Sequence, residues 1–211
     1  MKKILEDVWQ TKTENPASGL YTHAYLLIRN TDNVLFYNTG LKEEIERIAE
    51  LGGISYQFLS HQDELGDSLK SIKQQFSSKL GGPEKEKEQF AKYLAPDILF
   101  SKREVIAGVE IILTPGHTVG STCFMVEGKD KLKYLFTGDS LYLSKDGEWK
   151  AGYIPGYSDK KTLIESLGLL KTLQPDVVMC SGSDGSQGYQ KMEHNEWEKI
   201  IELSIANLSE K

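Results

Sequence analysis

Long apolar runs and cysteine are scarce in this sequence, and each shortage excludes a class of protein. No stretch approaches the roughly 18 apolar residues of a membrane-spanning helix, so we expect no membrane association. Residues 1–7 turn acidic before any apolar run long enough for a secretory signal, which predicts a cytoplasmic protein. Two cysteines, Cys123 and Cys180, are too few for a disulfide framework, and without an export signal we expect both thiols to be buried and reduced.

An excess of basic residues is also missing. The chain has 25 Lys and Arg residues against 31 Asp and Glu residues, a formal charge of −6. A nucleic-acid-binding protein needs a basic face, so we expect no nucleic-acid partner and favour a small-molecule substrate. The 211 residues, 39% hydrophobic and 27% charged, suit a single globular domain over residues 1–211. The sequence does not determine the oligomeric state.

Hydrophobic periodicity and β-forming residues predict a mixed fold. Strands are predicted at residues 21–28, 34–37, 54–60, 97–100, 109–113, 122–126, 132–136 and 176–179. Helices are predicted at residues 41–51, 65–76, 84–94, 160–173 and 192–208, and the helix at 84–94 is expected to be charged and exposed. The Leu-Gly-Gly-Pro segment at 80–83 is expected to break the chain. This order favours the α/β (α+β) class, with helices outside layered sheets.

Three loops that follow predicted strands carry residues able to bind a metal ion. His61 and Asp63 follow the strand at 54–60, His117 follows the strand at 109–113, and Asp139 follows the strand at 132–136. Two imidazoles and a carboxylate can hold Zn²⁺, Fe²⁺ or Mn²⁺ on one face and leave positions open. From residue types alone, ordinary hydrogen-bonding histidines and solvated carboxylates are the more common explanation.

The order of these segments resembles that of the metallo-β-lactamase superfamily. Residues 114–121 read Thr-Pro-Gly-His-Thr-Val-Gly-Ser, which resembles the family's Pro-Gly-His-Thr-x-Gly-Ser loop. Residues 137–140 read Thr-Gly-Asp-Ser, similar to its bridging-aspartate loop, and residues 59–67 are similar to its His-x-His-x-Asp-His-x-Gly-Gly signature. The resemblance covers nearly the whole chain and is nearest to glyoxalase II-type small hydrolases. It implies a four-layer αββα sandwich.

The sequence departs from the family pattern at several positions of the metal site. Leu59 and Glu64 replace two histidines of the first signature, and Ser183 replaces a histidine of the closing strand. Asn38 stands where an aspartate commonly supports the site. The resemblance therefore implies a degenerate site, in which two intact metal ions are not expected.

The remaining family positions imply a site for one divalent ion. The ligands would be His61, His117 and Asp139, with Asp63 or Glu64 as a further oxygen donor. Zinc is the expected ion, Mn²⁺ or Fe²⁺ being alternatives, and more oxygen donors would favour Mn²⁺ or Mg²⁺. A competing interpretation leaves Glu64 paired with a nearby cation or facing water.

The resemblance implies hydrolysis of an ester, thioester or related small carbonyl compound. Asp63 would orient the attacking water or accept its proton. Tyr142, Tyr153 and Tyr157 follow Asp139 and are candidates for oxyanion stabilisation by position alone, although packing at the surface or in the core is the more common role for such tyrosines. The alternative is a catalytically inactive member without metal, retained as a small-ligand-binding or partner-binding protein.

Three further residues have side chains of a type that can bind metal. Cys180 is expected to be a structural thiol inside the closing strand rather than a replacement ligand. His23 lies in a predicted strand and points either to the core or to the cleft, whereas His194 is expected to face solvent at a helix start.

Overall fold

The computed structural model describes residues 1–185, 187–193 and 195–210. Its strands are, in chain order, β1 (Lys2–Lys3), β2 (Val8–Gln10), β3 (Glu14–Ala17), β4 (Leu20–Thr22), β5 (Tyr25–Leu27), β6 (Val34–Phe36), β7 (Tyr56–Phe58), β8 (Lys79–Pro83), β9 (Ile98–Phe100), β10 (Glu104–Ile106), β11 (Val109–Leu113), β12 (Thr122–Glu127), β13 (Lys133–Gly138), β14 (Leu141–Leu143), β15 (Trp149–Ala151), β16 (Val177–Cys180), β17 (Gly182–Ser183) and β18 (Tyr189–Lys191). Its α-helices are α1 (Lys42–Glu50), α2 (Ser68–Phe76), α3 (Lys87–Ala91), α4 (Lys160–Lys171) and α5 (Glu196–Ser209).

Two large sheets form the centre of the fold. The first has the strand order β1-β2-β5-β6-β7-β8-β9, and its strands run parallel from β6 to β9. The second has the order β10-β11-β12-β13-β16-β18 and is antiparallel except where β13 pairs with β16. A small sheet of β17, β4 and β3 links the hairpin at 14–22 to the closing strand.

Aromatic side chains fill the space between the two large sheets. The ring of Phe36 on β6 stacks on that of Phe136 on β13, with centroids 3.8 Å apart. Phe58 on β7 and Phe124 on β12 meet in the same layer at 5.9 Å, and all four rings are fully buried. Burial of such side chains supplies about 1.5–3 kcal/mol each, so this layer holds the sheets face to face.

Helices cover the outer faces of both sheets. Leu163 and Leu167 of α4 and Trp197 of α5 pack in a second cluster against the outer face of the second sheet. The first sheet is covered by α1, α2 and α3, which contribute Ile48 and Phe90 among their buried residues. The layers follow the predicted αββα order. No helix in the described part of the chain has the length and apolarity needed to cross a bilayer.

Two predictions for the central region are wrong. Residues 80–83 do not break the chain but belong to β8, which pairs in parallel with β7 and β9. Glycine is required there because a Cβ on Gly81 would lie 2.6 Å from the ring of Phe100, and one on Gly82 would lie 2.3 Å from that of Phe90. The Leu-Gly-Gly-Pro sequence resembles a turn, but its glycines leave room for aromatic rings that belong to distant segments of the chain.

The exposed helix predicted at 84–94 is shorter and partly buried. A 3₁₀ helix at Glu84–Glu86 precedes α3, and the side chains of Glu86 and Phe90 are each buried. The strand predicted at 21–28 divides into β4 and β5, which belong to different sheets. Both differences arise from tertiary contacts, which cannot be predicted from the local periodicity of the sequence.

Candidate metal centre

The first loop of the site begins where β7 ends. His61 has an extended backbone and is followed by a 3₁₀ helix at Gln62–Glu64, which turns the side chain of Asp63 back toward the imidazole. The amide of Asn38 donates to the carbonyl oxygen of Glu64 at 3.1 Å, and its own oxygen accepts from Gln57 and Ser68. Asn38 therefore braces the backbone of this loop, at the position where the family commonly has an aspartate.

The second loop carries His117 between β11 and β12. Gly116 has a φ of +138°, and a Cβ at this residue would lie 2.4 Å from the backbone of Leu163 in α4. A glycine is needed because the loop must press directly on the helix. The Nδ1 atom of His117 lies 2.6 Å from the carbonyl oxygen of Gly152. This contact fixes the direction of the imidazole.

The third loop places Asp139 directly after β13. Gly138 has a φ of +54°, and its N–H donates to the phenolic oxygen of the buried Tyr37 at 2.8 Å. The Oδ1 atom of Asp139 accepts from the backbone N–H of Gly182 at 2.8 Å, which leaves Oδ2 directed at the two histidines. The closing strand thus orients the carboxylate without contributing a side chain.

Four donor atoms from these loops converge on one point. The Nε2 atom of His61 lies 3.5 Å from Oδ2 of Asp139 and 3.7 Å from Oδ2 of Asp63. The Nε2 atom of His117 lies 3.8 Å and 3.5 Å from the same two oxygens. Donor atoms of His61, His117 and Asp139 lie within 4.8 Å of one another. The structure thus brings together the four residues that the sequence predicts as its main ligands.

The Nε2 atoms of both histidines are buried and have no hydrogen-bond partner in the structure. Their side chains are 1% and 5% exposed, so water does not readily satisfy these atoms from bulk solvent. A buried polar atom without a partner costs about 1–3 kcal/mol, which calls for a specific explanation. A metal ion between the imidazoles would give both nitrogens a partner.

Hydrogen bonds on the opposite edge of each ring prepare Nε2 for metal binding. The carbonyl oxygen of Gly152 can only accept, so Nδ1 of His117 carries the proton. The hydroxyl of Ser60 donates to Glu64 and therefore accepts from Nδ1 of His61 at 2.8 Å. Both Nε2 atoms consequently face inward, as in metal sites where a carbonyl or carboxylate holds the far side of each histidine.

The charges of the site attract a cation. Burial by itself lowers the pKa of His61, but the carboxylates of Asp139 and Glu64 outweigh it and hold the pKa well above 6.5. Burial raises the pKa of Asp139, but the nearby imidazoles of His61 and His117 and the N–H of Gly182 outweigh this and lower the pKa to about 2. Burial also raises the pKa of Asp63, but the contacts with His117 and His61 outweigh burial and lower the pKa below its usual value. The cluster therefore stabilises positive charge at its centre.

Glu64 occupies a different place from the other predicted ligands. Its carboxylate accepts from the backbone N–H of Ser60 at 2.8 Å and lies 3.3 Å from Nδ1 of His61, on the edge of the ring that faces away from the donor cluster. In this position it pairs with His61 from behind the ring.

The other two replaced histidine positions supply no donor. The side chain of Leu59 is fully buried in an apolar cluster with Leu69, Leu80 and Phe90. The hydroxyl of Ser183 is hydrogen-bonded to the carbonyl oxygen of Gly185. Each substitution is thus accommodated by the local packing.

Tyr157 is the tyrosine that meets the donor cluster. Its hydroxyl donates to Oδ1 of Asp63 at 2.6 Å and accepts from the side-chain amide of Gln62 at 2.9 Å. Burial and the neighbouring Asp63 carboxylate raise the pKa of Tyr157 to about 12, so the phenol keeps its proton at neutral pH. Tyr142 and Tyr153 instead line a neighbouring cavity together with His117 and Asp139.

Sequence reasoning missed Glu86, which ties two of the loops together. Its side chain is 2% exposed, and its carboxylate accepts from the backbone N–H groups of Gln62 at 2.7 Å and Gly120 at 3.1 Å. One acceptor thus links the loop of His61 to the loop of His117. Its charged neighbours made residue 86 resemble an exposed position, and no local signal distinguishes it.

Cys123 and Cys180 are buried and free, as predicted. The Sγ atom of Cys180 donates to the carbonyl oxygen of Gly188 at 3.3 Å, which indicates a structural role inside the closing strand. His23 is buried beside the ring of Tyr25. The prediction for His194 lies outside the described residues.

The donor spacing fits a metal ion. A tetrahedral zinc ion with bonds of about 2.1 Å holds its ligand atoms about 3.4 Å apart, close to the spacings between the histidine nitrogens and carboxylate oxygens. Two imidazoles and the carboxylate of Asp139 are also a donor set that divalent first-row metals accept while keeping a position open. The geometry and chemistry of these residues thus suit a divalent ion.

Comparisons with known proteins agree with this architecture. The sequence profile of the metallo-beta-lactamase superfamily matches residues 25–182. A metallo-beta-lactamase from Pontibacter korlensis superposes with a TM-score of 0.76 at 16% identity, over 100% of this chain and 98% of that one. A metallo-beta-lactamase family protein from Thermus thermophilus gives a TM-score of 0.69 at 17% identity, over 98% and 80% of the two chains.

A third solved structure is similar over most of the chain. It is a metallo-beta-lactamase with a HARLDQ motif from Cronobacter sakazakii, and it superposes with a TM-score of 0.66 at 15% identity, over 95% of this chain and 93% of that one. Curated protein sequences give no significant match. Identities this low show the fold alone, whereas the profile covers most of the chain. This chain belongs to the metallo-beta-lactamase superfamily.

Proposed function

We propose that this protein is a single-metal hydrolase that acts on an ester, thioester or related small carbonyl substrate. The observation that carries the proposal is the pair of buried, unpartnered Nε2 atoms of His61 and His117, directed between the carboxylates of Asp63 and Asp139. Zinc is the ion we propose, with Mn²⁺ or Fe²⁺ as the alternatives that metal analysis distinguishes.

The donor set supports one ion rather than two. A second ion could draw only on Asp63 and on Asp139, which it would share with the first. Leu59 lies in an apolar cluster, Glu64 supports the far side of His61 and Ser183 bonds to a carbonyl, so none of them offers it a further ligand. Two carboxylates are too few to hold a second zinc ion, which takes four ligands in proteins.

The remaining catalytic roles would fall to the side chains of Asp63 and Tyr157. A divalent ion held at the metal centre would lower the pKa of a water molecule and polarise a carbonyl oxygen. Asp63, 41% exposed and at the edge of the cluster, is placed to orient this water and to accept its proton. The hydroxyl of Tyr157 holds Oδ1 of Asp63, which leaves Oδ2 for this task.

Metal content and turnover together test the proposal. Untagged protein grown without added metal is expected to contain about one equivalent of a divalent ion, and His117→Ala is expected to lose it. Asp63→Asn is expected to lose at least about a hundredfold in the rate of thioester and lactone hydrolysis. Asp146→Asn, at an exposed aspartate outside the site, is the control.

The inactive alternative makes the opposite prediction. A folded wild-type protein that takes up no metal and hydrolyses none of the thioesters or lactones would overturn the hydrolase proposal. The buried Leu59 and the bonded Ser183 are the observations that favour this alternative, because they show that family ligands have been replaced without leaving gaps.

A further inference from the structure

Two cavities border the metal centre. The larger, of about 980 Å³, reaches His61, Asp63 and Asp139. The smaller, of about 240 Å³, reaches His117 and Asp139. Leu20, at the start of β4, lines both, so the hairpin at 14–22 stands between them. A substrate held at the centre would therefore place its two halves in different surroundings.

The outer wall of the larger cavity carries an excess of negative charge. Apart from the donor cluster and Glu64, its lining contains the carboxylates of Glu14, Glu46 and Asp67 but only one cation among the described residues, Lys42. The ammonium group of Lys42 is 89% exposed and lies 3.9 Å from Glu46. This wall thus keeps two uncompensated negative charges.

One of these carboxylates is fixed in place. Glu14 accepts from the hydroxyl of Thr39 at 2.6 Å and from the backbone N–H of Gly40 at 3.0 Å, so its charge stays at the cavity wall. No guanidinium lines the cavity within the described part of the chain. A carboxylate or phosphate on the substrate would meet repulsion here and lack a bidentate partner.

The smaller cavity has a different character. Its wall includes the apolar side chains of Leu20 and Ile154 and the rings of Tyr142 and Tyr153, together with one further carboxylate, that of Asp184, which accepts from the backbone N–H of Lys145. Its size and mainly apolar lining suit a short apolar group, whereas the larger cavity has room for a polar one. The two cavities therefore differ in size and in the number of carboxylates that line them.

We infer that the substrate is a small ester or thioester whose leaving group carries a positive charge and whose acyl group is short and apolar. This inference rests on the proposed function. The cationic leaving group would lie along the acidic wall of the larger cavity, and the acyl group would lie in the smaller one. In the thioester case, hydrolysis forms a bond between water oxygen and the carbonyl carbon and breaks the C–S bond, releasing a carboxylic acid and a thiol.

Three thioacetates of matched acyl group provide the kinetic test. Acetylthiocholine is cationic, S-ethyl thioacetate is neutral and S-acetylthioglycolate is anionic, and each releases a thiol that a colorimetric reagent detects. We expect kcat/KM to fall in that order, by about five- to tenfold from first to last at 50 mM salt, for two charges about 8 Å away in a high dielectric. At 500 mM salt the difference should shrink toward twofold.

Charge variants locate the source of the preference. The double variant Glu46→Gln with Asp67→Asn removes two wall charges while leaving the anchored Glu14 intact, and it should bring the cationic and anionic rates together. Glu43→Gln, on the same helix but outside the cavity lining, is the matched control and should keep the preference.

Binding of substrate-like ketones tests the inference without turnover. Ligand-observed NMR on the metal-loaded protein would compare the trimethylammonium ketone 4-oxopentyl-trimethylammonium with the anionic 4-oxopentanoate. Tighter binding of the cation supports the inference, and equal or tighter binding of the anion overturns it. Failure to hydrolyse any thioacetate would count against the hydrolase proposal, while the ketone comparison would still decide the charge preference.

Discussion

Replacing Glu86 by alanine should loosen two loops of the metal centre at once. The carboxylate of Glu86 accepts from the backbone N–H groups of Gln62 and Gly120, which belong to the loops of His61 and His117. Gly120 is buried, so its N–H would lose its partner without access to water, whereas the half-buried Gln62 can regain one in part. We expect the alanine variant to show both lower stability and weaker metal binding.

The structure sets the size of both effects. An unpartnered N–H at Gly120 costs about 1–3 kcal/mol, and loss of the bond at Gln62, whose N–H can regain a water partner, adds about 1 kcal/mol, so the free energy of unfolding should fall by about 3 kcal/mol. For a chain of this length that corresponds to a Tm lowered by about 6–12 °C. Metal affinity should fall by about 10–100-fold, as when other supporting groups of metal ligands are removed.

Calorimetry and chelator competition measure these two quantities. Glu84→Ala, in the same 3₁₀ helix but at an exposed position, is the matched control. Glu86→Gln keeps one acceptor oxygen and should fall between the wild type and the alanine variant in both quantities. If Glu86→Ala matched Glu84→Ala in both Tm and metal affinity, the argument that Glu86 ties the loops together would be refuted.

Three further predictions follow from burial and close contacts. Leu59→His should lower the free energy of unfolding, measured by urea denaturation, by about 2–4 kcal/mol, because the imidazole would enter an apolar cluster. The variant should bind no additional metal ion. A stable variant with two ions would contradict this prediction. Gly116→Ala should cost about 3 kcal/mol or prevent folding, since its Cβ would lie 2.4 Å from the backbone of Leu163. Its control Gly168→Ala, in open space on α4, should stabilise the protein by up to about 1 kcal/mol, and equal stabilities of the two variants would refute the contact argument. Burial raises the pKa of Cys123 and of Cys180 to about 12, so the thiolate fraction at pH 8 falls about a thousandfold. Iodoacetamide should therefore label these thiols only when the protein unfolds. Rapid labelling of the native protein at pH 8 would show instead that the thiols are accessible.

The sequence determines the donor cluster better than its supports. His61, Asp63, His117 and Asp139 are predictable because strand ends and glycine-containing loops mark them locally, and the family order relates the loops to one another. Their spacing in the structure agrees with that expectation.

The supporting groups depend on contacts between distant segments. Glu86 lies in a charged stretch that resembles an exposed helix, and its burial depends on the backbone of Gln62 and Gly120. The carbonyl of Gly152 that fixes His117 carries no side-chain signal at all. Glu64 could be assigned to the metal or to its surroundings only once the position of Ser60 was known.

The strand β8 shows the same limit for the fold. A Gly-Gly-Pro segment is typical of a turn, and only the approach of Phe58, Phe90 and Phe100 reveals why glycines occupy a central parallel strand. By contrast, helices α1 and α4 follow their predicted periodicity to within two residues, because their apolar faces pack on a sheet in the ordinary way.

A crystal structure of the zinc-loaded protein with anomalous diffraction at the zinc edge tests the central claim most directly. We predict one anomalous peak within about 2.3 Å of Nε2 of His61, Nε2 of His117 and Oδ2 of Asp139, with Oδ2 of Asp63 within hydrogen-bond reach of the open coordination position. Two strong peaks, or imidazole nitrogens bonded only to water in protein soaked with zinc, would contradict the single-metal centre.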